Sequence, residues 1–369
     1  MRATVKLQDF NNALRLVAKP AGPYVQLNAR SGQLTLASYS DMCHIKTRIE
    51  AQVDGEGGVC VLLLPPLMTF VRATSGMFKG DNIQAVLDIG DDWTGSLHIE
   101  DARAKLMGAD PASYPVTEPP KGTGLTLDSA AFISAIEQVI GATGGSEVSP
   151  QFQGVCIAAS DKGELRAMAT DTRQAAVAVI GTTAEPWESV VLEHRDADLL
   201  ADIARGQAQL QLWAGAGHRL WAHAGPHTLV TSTIVIEGGQ FPDLPSRLAG
   251  PEMYDDQIMV DMDTWQPPLA AAIACNQGSA DRVAQLTLSP DGVAVDVRNN
   301  DGEVHLPLAA KTQTLVYTQR VPVGRLSDRL KHAGPTGVVL RIPRVDPLKI
   351  PLRIEAPGYI AWVMCLAGA

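Results

Sequence analysis

The sequence predicts an α+β protein made of three copies of one unit, each with two helices and several short antiparallel strands. Three features predict this: a turn glycine before an alternating strand, a short helix after a β-like run, and an earlier amphipathic helix. All three recur about 130 residues apart along the chain. Because three separate features share one period, we interpret the sequence as a triplicated fold.

The turn glycines are Gly32, Gly163 and Gly292, and each is followed by alternating apolar residues and a polar end. Glycine suits a hairpin turn because it accepts positive φ. Alternation with a period of two half-buries the strand that follows. We therefore expect a hairpin at this point of each unit.

The helices supply the other two features. Apolar spacing of i, i+4 and i+7 predicts one early helix in each unit, at residues 8–18, 128–140 and 263–274. The last of these is the weakest, because Pro267 and Pro268 fall in its first turns. A β-like run and a terminal glycine predict a second helix in each unit, at residues 65–76, 194–206 and 322–334.

The predicted modules are residues 1–122, 123–252 and 253–369. Their boundaries fall in polar or Pro/Gly-rich joints at residues 117–124 and 247–256. Neither joint is long enough for a flexible linker, so we expect the modules to pack as a rigid arc.

The composition is that of a globular protein, with 46% hydrophobic and 19% charged residues and a formal net charge of −10. The acidic excess argues against nucleic-acid binding over the whole surface, but it allows basic groups confined to one face. The five cysteines lack CxxC spacing, and no apolar run is long enough to cross a membrane. We therefore expect reduced thiols and a cytoplasmic protein with neither metal nor cofactor.

Motifs for catalysis are absent from the sequence, which contains no HExxH, GxSxG or Walker A pattern. Gly215 and Gly217 are interpreted as a strand turn rather than a phosphate loop. Four histidines fall in one module at no standard metal-ligand spacing, and we favour surface or strand-face positions for them: His194, His218, His223 and His227. An enzyme is therefore the least favoured class of function.

Several motifs, in order along the chain, resemble those of the β sliding clamp family of DNA polymerase III. Residues 152–154 (Phe-Gln-Gly) and 165–171 (Leu-Arg-Ala-Met-Ala-Thr-Asp) are similar to the family's L-N-G and L-x-x-V-A-T-D. Residues 113–115 (Ser-Tyr-Pro), 241–243 (Phe-Pro-Asp) and 361–366 (Ala-Trp-Val-Met-Cys-Leu) resemble D-F-P, F-P-D-Y and the closing Y-V-V-M-P-M. The resemblance covers essentially the whole chain.

The chain departs from the family pattern at two of these motifs. The family's G-H-R-L after A-T-D is replaced by Thr172, Arg173, Gln174 and Ala175, and its closing proline by Cys365. The chain therefore resembles a divergent member. The resemblance implies three repeated clamp domains per subunit and a head-to-tail homodimeric ring, with helices lining a central hole around duplex DNA.

The resemblance also implies which basic residues face DNA. On an isolated helix a basic stripe is ordinarily a solvated face, but the family's helices line the hole. Phosphate-directed contact without base readout would permit sliding. The residues that match are Arg15, Lys19, Arg72, Arg195, Arg205, Arg325, Arg329 and Lys331.

The resemblance also implies a hydrophobic cleft. In the family this cleft binds short linear motifs of polymerases, the clamp loader and repair proteins. The matching positions are Phe152, Thr170, Thr172, Arg173, Ala175, Pro242, Arg247, Val363 and Met364. The alternative is that Phe152, Val363 and Met364 are ordinary strand core. Because Ala175 stands where the family has leucine, we expect a widened pocket.

Ring closure would match Ala104 and Leu106 on one side with Ile273 and Ala274 on the other. Alanine replaces larger apolar groups here, and each loss forfeits about 1.5–3 kcal/mol of burial. We therefore expect a dimer that is weaker than usual or that uses other contacts. The favoured function is a processivity factor that tethers DNA polymerase to DNA. The alternatives are a clamp-like protein-binding adaptor or a specialised clamp paralogue of a mobile element.

Overall fold

A computed structural model describes most of the chain. The described residues are 1–20, 22–80, 82–115, 120, 124–184, 187–215, 218–236, 241–248, 250–254, 256–276, 282–290, 292–299, 302–308, 317–343 and 350–366. Of the predicted joint at residues 117–124, only Pro120 and Gly124 are among them. Gly217 of the predicted strand turn also lies outside the described residues.

Short antiparallel strands are the commonest element of the described structure. In chain order they are β1 (Arg2–Lys6), β2 (Tyr24–Arg30), β3 (Gln33–Tyr39), β4 (Cys43–Glu50), β5 (Gln52–Asp54), β6 (Gly58–Leu63), β7 (Gln84–Ile89), β8 (Thr94–Ile99), β9 (Ala102–Ala109), β10 (Leu125–Asp128), β11 (Gly154–Ala159), β12 (Glu164–Thr170), β13 (Gln174–Thr182), β14 (Val190–Glu193), β15 (Gln209–Gly215), β16 (Arg219–Ala224), β17 (His227–Ser232), β18 (Asp256–Val260), β19 (Val283–Ser289), β20 (Gly292–Asn299), β21 (Gly302–Leu308), β22 (Tyr317–Pro322), β23 (Val338–Ile342), β24 (Leu352–Ala356) and β25 (Tyr359–Val363).

The helices confirm the six sequence predictions to within about two residues at each end. They are α1 (Leu7–Val17), α2 (Leu64–Met77), α3 (Ser129–Ile140), α4 (His194–Ala204), α5 (Leu244–Arg247), α6 (Met262–Cys275) and α7 (Val323–His332), of which the short α5 had no sequence prediction. The side chain of Asp261 caps α6 by accepting a hydrogen bond from the amide of Asp263 at 3.1 Å. This cap lies just ahead of Pro267 and Pro268, which are both inside the helix.

The predicted turn glycines are also confirmed. Gly32, Gly163 and Gly292 have φ values of 76°, 75° and 146°. Strands β3 and β12 begin directly after the first two, and β20 begins at the third. A glycine therefore starts the same strand of each repeat because the turn requires positive φ.

One compact unit comprises residues 1–129 and 199–233. Its sheet has thirteen strands in the order β10-β15-β16-β17-β4-β3-β2-β6-β9-β8-β7-β1-β5. Strands β15–β17 belong to the predicted middle module, yet β17 pairs antiparallel with β4 of the first module, with Val230 opposite His44. Helix α1 buries Phe10, Leu14 and Val17 completely.

A second compact unit comprises residues 130–198 and 234–369. It contains an eight-stranded sheet in the order β14-β11-β12-β13-β25-β24-β23-β18 and a four-stranded sheet in the order β21-β20-β19-β22. Strand β25 pairs with β13 in antiparallel register, with Ala175 opposite Trp362. The C-terminal strand thus lies beside a strand of the predicted middle module, which the expected cleft requires.

Both large sheets contain strands from two of the predicted modules. A strand ladder buries its backbone hydrogen-bonding groups, so the sheet continues across these boundaries without an exposed edge. The three-module division at residues 122 and 252 stays a prediction, because the compact units do not follow it.

The burial of Arg329 contradicts one prediction for α7. The sequence places Arg329 in a solvent-facing basic stripe, but its side chain has no exposed area. Its Nη1 donates a hydrogen bond of 3.0 Å to the carbonyl of Gln138, in the last turn of α3, and its Nη2 pairs with Asp328. A guanidinium complements the negative end of a helix dipole. Arg329 therefore joins α7 to α3 and does not reach solvent.

The Asp328 carboxylate completes this arrangement. Burial on its own would raise the pKa of Asp328. Hydrogen bonds from His332 and Arg329, together with the charge of Arg329, outweigh burial and lower the pKa from 3.8 to about 2. The ion pair is therefore intact above about pH 4 and is lost as the pH falls towards 2.

We expect Arg329→Ala to lower the free energy of unfolding by about 3 kcal/mol, because it removes a buried charged hydrogen bond and leaves a cavity. Lys331→Ala is the matched control, since Lys331 is exposed on the same helix. We expect it to change stability by less than about 0.5 kcal/mol. Urea unfolding of the two variants measures the difference, and equal midpoints would contradict the structural role of Arg329.

Candidate partner-binding cleft and basic helix surfaces

An apolar cluster lies on one face of the eight-stranded sheet. It includes Cys156, Met168, Ala175, Val177, Val191, Phe241, Leu244 and Trp362. The segment 241–248 contributes two of these, Phe241 and Leu244, which are both buried. Phe152 packs against the cluster, with its ring edge-on to Phe241 at a centroid distance of 6.2 Å. The structure therefore brings Phe152 and Ala175 together beside the segment that carries Pro242 and Arg247.

Val363 is one of the predicted cleft residues that do not join this cluster. Successive residues of a strand point to opposite faces of the sheet. Ala175 is opposite Trp362, whereas Val363 is opposite Gln174, so the side chain of Val363 lies on the other face. Val363 is fully buried there. The cluster contains Trp362 instead, one residue earlier than the sequence predicted.

Trp362 lies on the same face of the sheet as Ala175, where the sequence predicts a widened pocket. The sequence predicted that alanine at position 175 leaves a gap, but Trp362 lies directly across from it and is 1% exposed. The Arg353 guanidinium sits 5.4 Å from the centroid of this indole. A large residue opposite a small one conserves the packed volume. Trp362 therefore offsets the small volume of Ala175 at this point, and the widening of the pocket stays a prediction.

Hydrogen bonds define the turn between β12 and β13. Oδ1 of Asp171 accepts the backbone N–H groups of Arg173 and Gln174, both at 2.8 Å. The Thr170 hydroxyl donates to the carbonyl of Gln174 at 2.7 Å and accepts from the amide of Thr172 at 3.1 Å. The sequence prediction placed Thr170, Thr172 and Arg173 at the cleft, and this turn holds all three.

Two further contacts attach this turn to its surroundings. The Arg325 guanidinium lies 3.4 Å from the Asp171 carboxylate, with 25% of the Arg325 side chain exposed. The amide of Met364 donates to the carbonyl of Arg173 at 2.9 Å. Arg325, which the sequence assigned to DNA, therefore stabilises the turn at the cleft.

The rim of the candidate cleft is polar and partly basic. Thr172, Arg173 and Arg247 are exposed, while Pro242 and Met364 are half-buried. A cavity of about 420 Å³ adjoins the apolar cluster, and its lining includes Cys156, Met168 and Phe241 but none of the nine predicted cleft residues. An apolar floor with a basic rim suits a short peptide that inserts hydrophobic side chains.

The remaining predicted DNA-contacting residues differ in their environment. Arg15, Arg72, Arg195 and Lys331 are exposed on or at the ends of helices. Lys19 and Arg205 are exposed as well, but both form ion pairs with Asp202. The described structure therefore retains six of the eight cations on the surface, with Arg325 half-buried and Arg329 fully buried.

Strand β9 carries two of the residues predicted for subunit contact. Leu106 is 7% exposed and Ala104 is half-buried, so both face the interior of their unit. Met107, between them and the strand end, is 72% exposed. Sequence reasoning missed Met107 because an exposed methionine leaves no pattern. Of the other predicted pair, Ile273 is half-buried and Ala274 is exposed.

Among the described residues, no group of three or more His, Cys, Asp or Glu side chains is arranged to hold a metal ion. None of the described helices is both long and apolar enough to cross a membrane. Of the four histidines, His194 begins α4, His218 lies in a turn before β16, and His223 and His227 lie in strands. For example, His227 hydrogen-bonds Thr47 at 2.8 Å, and His194 hydrogen-bonds Thr143 at 2.8 Å.

Backbone strain at Thr172 leads to a stability prediction. Thr172 has a φ of 74°, which a β-branched residue adopts only at a cost. Thr172→Gly should raise the free energy of unfolding by about 0.5–1 kcal/mol, because the relief of strain exceeds the added entropy of the unfolded glycine. Thr172→Ala keeps the strain and serves as the control in thermal melts. Equal stabilities of the two variants would show that the left-handed φ carries no cost.

Comparison with known proteins identifies solved structures that have the same fold. No protein-family model and no curated protein sequence matches the chain. A sliding clamp of DNA polymerase from Pseudomonas aeruginosa is 17% identical, with a TM-score of 0.84 and 100% of both chains covered. The β subunit of a DNA polymerase from Streptococcus pyogenes is 15% identical, with a TM-score of 0.86 and the same coverage.

A third match is the β sliding clamp from Caulobacter crescentus, which is 18% identical. Its TM-score is 0.85, and the alignment covers 100% of this chain and 99% of that one. Identities this low establish the fold. The expected α+β clamp architecture is thereby confirmed over the full length, and this chain has the fold of the bacterial DNA polymerase sliding clamps.

Proposed function

We propose that the chain is a DNA sliding clamp, a ring-shaped processivity factor that encircles duplex DNA and tethers a DNA polymerase. The observation that carries this proposal is the fold match over the whole of both chains, at TM-scores of 0.84 to 0.86. A clamp acts by topology and binding, so we propose no catalytic role. A specialised clamp paralogue of a mobile element would act on DNA in the same way.

DNA contact is proposed through exposed cations on the helices. Arg15, Arg72, Arg195 and Lys331 are exposed, and their flexible side chains suit contact with phosphates at any sequence. The formal net charge of −10 would repel DNA from other surfaces. This distribution supports an encircling contact that is weak, mobile and sensitive to salt.

Partner binding is proposed at the cleft beside segment 241–248. The apolar cluster offers a floor for hydrophobic anchors, and Met364 is a half-buried, adaptable thioether at its edge. Exposed Arg173 and Arg247 favour a motif that also carries an acidic side chain. The proposed occupants are short linear motifs of the polymerase, the clamp loader and other replication and repair proteins.

A homodimer is proposed to close the ring through strand edges. Strand β21 is an edge of the four-stranded sheet. In the part of the chain that the structure describes, Ala102–Met107 of β9 pairs with β8 and leaves its other edge open. Arg103 and Lys105 are exposed on β9, and Glu303 is exposed on β21. Antiparallel pairing of these two edges between subunits would join opposite charges and make head-to-tail contacts.

Ring closure predicts a dimer that stays on closed circular DNA and escapes from linear DNA. The physical reason is topological, since weak phosphate contacts alone do not retain a protein. Light scattering would give the molar mass. The protein would be loaded on nicked circular DNA, and gel filtration before and after the DNA is linearised would give the fraction of protein that stays bound. A monomer that is not retained on circles, even with a loader present, would overturn the ring and favour the adaptor.

Peptide binding at the cleft is predicted to be lost in Met364→Asp, because a carboxylate in an apolar groove is costly to desolvate. Met259→Asp is the matched control, since Met259 is 62% exposed on β18, at the far edge of the same sheet. A fluorescent peptide with a polymerase-type clamp-binding motif is titrated against both variants and the parent. Equal affinity of Met364→Asp and the parent would place the partner site elsewhere.

A further inference from the structure

Asp202, in the last turn of α4, lies between two of the cations assigned to DNA. Its carboxylate pairs with Lys19, and its Oδ1 is 3.8 Å from Nε of Arg205. The exposed fractions of the side chains are 24% for Asp202, 43% for Lys19 and 58% for Arg205. The three residues belong to the same compact unit. One shielded acid thus contacts two more exposed cations.

The position of Asp202 is unfavourable for an acid considered by itself. The C-terminal turn of a helix carries partial negative charge, which repels a carboxylate and favours cations. Arg205 follows the end of α4, and Lys19 follows the end of α1 by two residues. Both cations therefore lie at helix C-termini, where positive charge is favourable. Pairing with them stabilises the Asp202 carboxylate in the last turn of α4.

Two other exposed helix cations of this unit that are assigned to DNA differ from Lys19 and Arg205. Within the described part of the chain, neither Arg15 on α1 nor Arg72 on α2 forms an ion pair. The helices of this unit therefore present two kinds of cation: Arg15 and Arg72 are available to a phosphate, whereas Lys19 and Arg205 are already bound to a carboxylate.

We infer that Asp202 is an internal competitor of DNA phosphate, which holds Lys19 and Arg205 back from full engagement with the duplex. The inference rests on the proposed DNA-encircling function and specifies how its strength is set. A phosphate must displace the carboxylate before it gains either cation, so the net attraction per contact is smaller. Fewer condensed counterions are released from the DNA, and the dependence of binding on salt is shallower. The contact stays weak, as a sliding protein requires.

The test compares Asp202→Asn with Asp198→Asn in the full-length protein. Asp198 is exposed on the same helix and forms no ion pair with any described residue, so both variants change the net charge by the same amount. Binding to a fluorescein-labelled 30-base-pair duplex is followed by anisotropy over a series of salt concentrations. Thermal melts confirm folding, and Asp202→Ser serves as a second replacement.

Asp202→Asn should bind about two- to fivefold more tightly at low salt, the range expected for release of a partly exposed ion pair. The slope of log K against log salt should steepen by about 0.9 for each cation released, and by less in Asp198→Asn. A structural role for Asp202 would not change this slope.

Lys19→Gln completes a double-mutant cycle. It should change the slope little in the parent, where Asp202 holds Lys19, and should lower it by about 0.9 in the Asp202→Asn background. If the parent binds DNA and the two Asn variants behave alike, the inference is wrong and the proposed function stands. If no variant binds the duplex at the lowest salt, the inference is wrong, and retention on circular DNA then decides the proposed function.

Discussion

The antiparallel pairing of β13 with β25 is the interaction on which the candidate cleft depends. It places Trp362 opposite Ala175 and brings the amide of Met364 to the carbonyl of Arg173. These residues are almost 190 positions apart in sequence, and no local propensity connects them. Once the pairing exists, segment 241–248 covers the same face of the sheet and closes the apolar cluster. A shift of one residue in this register would turn Trp362 to the other face and remove the floor of the cleft.

Ion pairs with acidic side chains determine which of the predicted DNA-contacting cations remain available to a phosphate. Four of the eight residues assigned to DNA are paired with a nearby carboxylate: Lys19 and Arg205 with Asp202, Arg325 with Asp171, and Arg329 with Asp328. The burial of each ion pair determines its role. Arg329 is fully buried and joins two helices, Arg325 is half-buried and stabilises a turn, and the pairs of Asp202 stay near solvent, where a phosphate can compete.

The departures from the clamp motifs are accommodated by neighbouring residues in different ways. The small Ala175 is balanced by Trp362 across the strand pair, so the packed volume is retained. Thr172, in place of glycine, keeps the left-handed φ of 74° and is exposed, where a modest strain is tolerated. Low identity to the solved clamps is therefore compatible with the same fold, because substitutions are compensated within single contacts.

The sequence by itself determined the elements that depend on local patterns. Periodic apolar residues placed α1, α3 and α6, and a β-like run with a terminal glycine placed α2, α4 and α7. Glycines with positive φ marked the hairpins at Gly32, Gly163 and Gly292. These predictions succeed because helix periodicity and turn conformation are set by residues close in the chain. Motif order also gave the clamp fold, since the repeat and its motifs span the full length.

Tertiary structure alone decided the face and depth of individual side chains. A periodic stripe on α7 predicts an exposed Arg329, but packing against the end of α3 buries it. Strand register, a contact between distant segments, placed Trp362 rather than Val363 in the cleft cluster. An ion pair joined Asp202 of α4 to Lys19, just after the end of α1, across more than 180 residues. The orientation and burial of these side chains depend on contacts between segments that are distant in the chain. No local pattern in the sequence predicts such contacts.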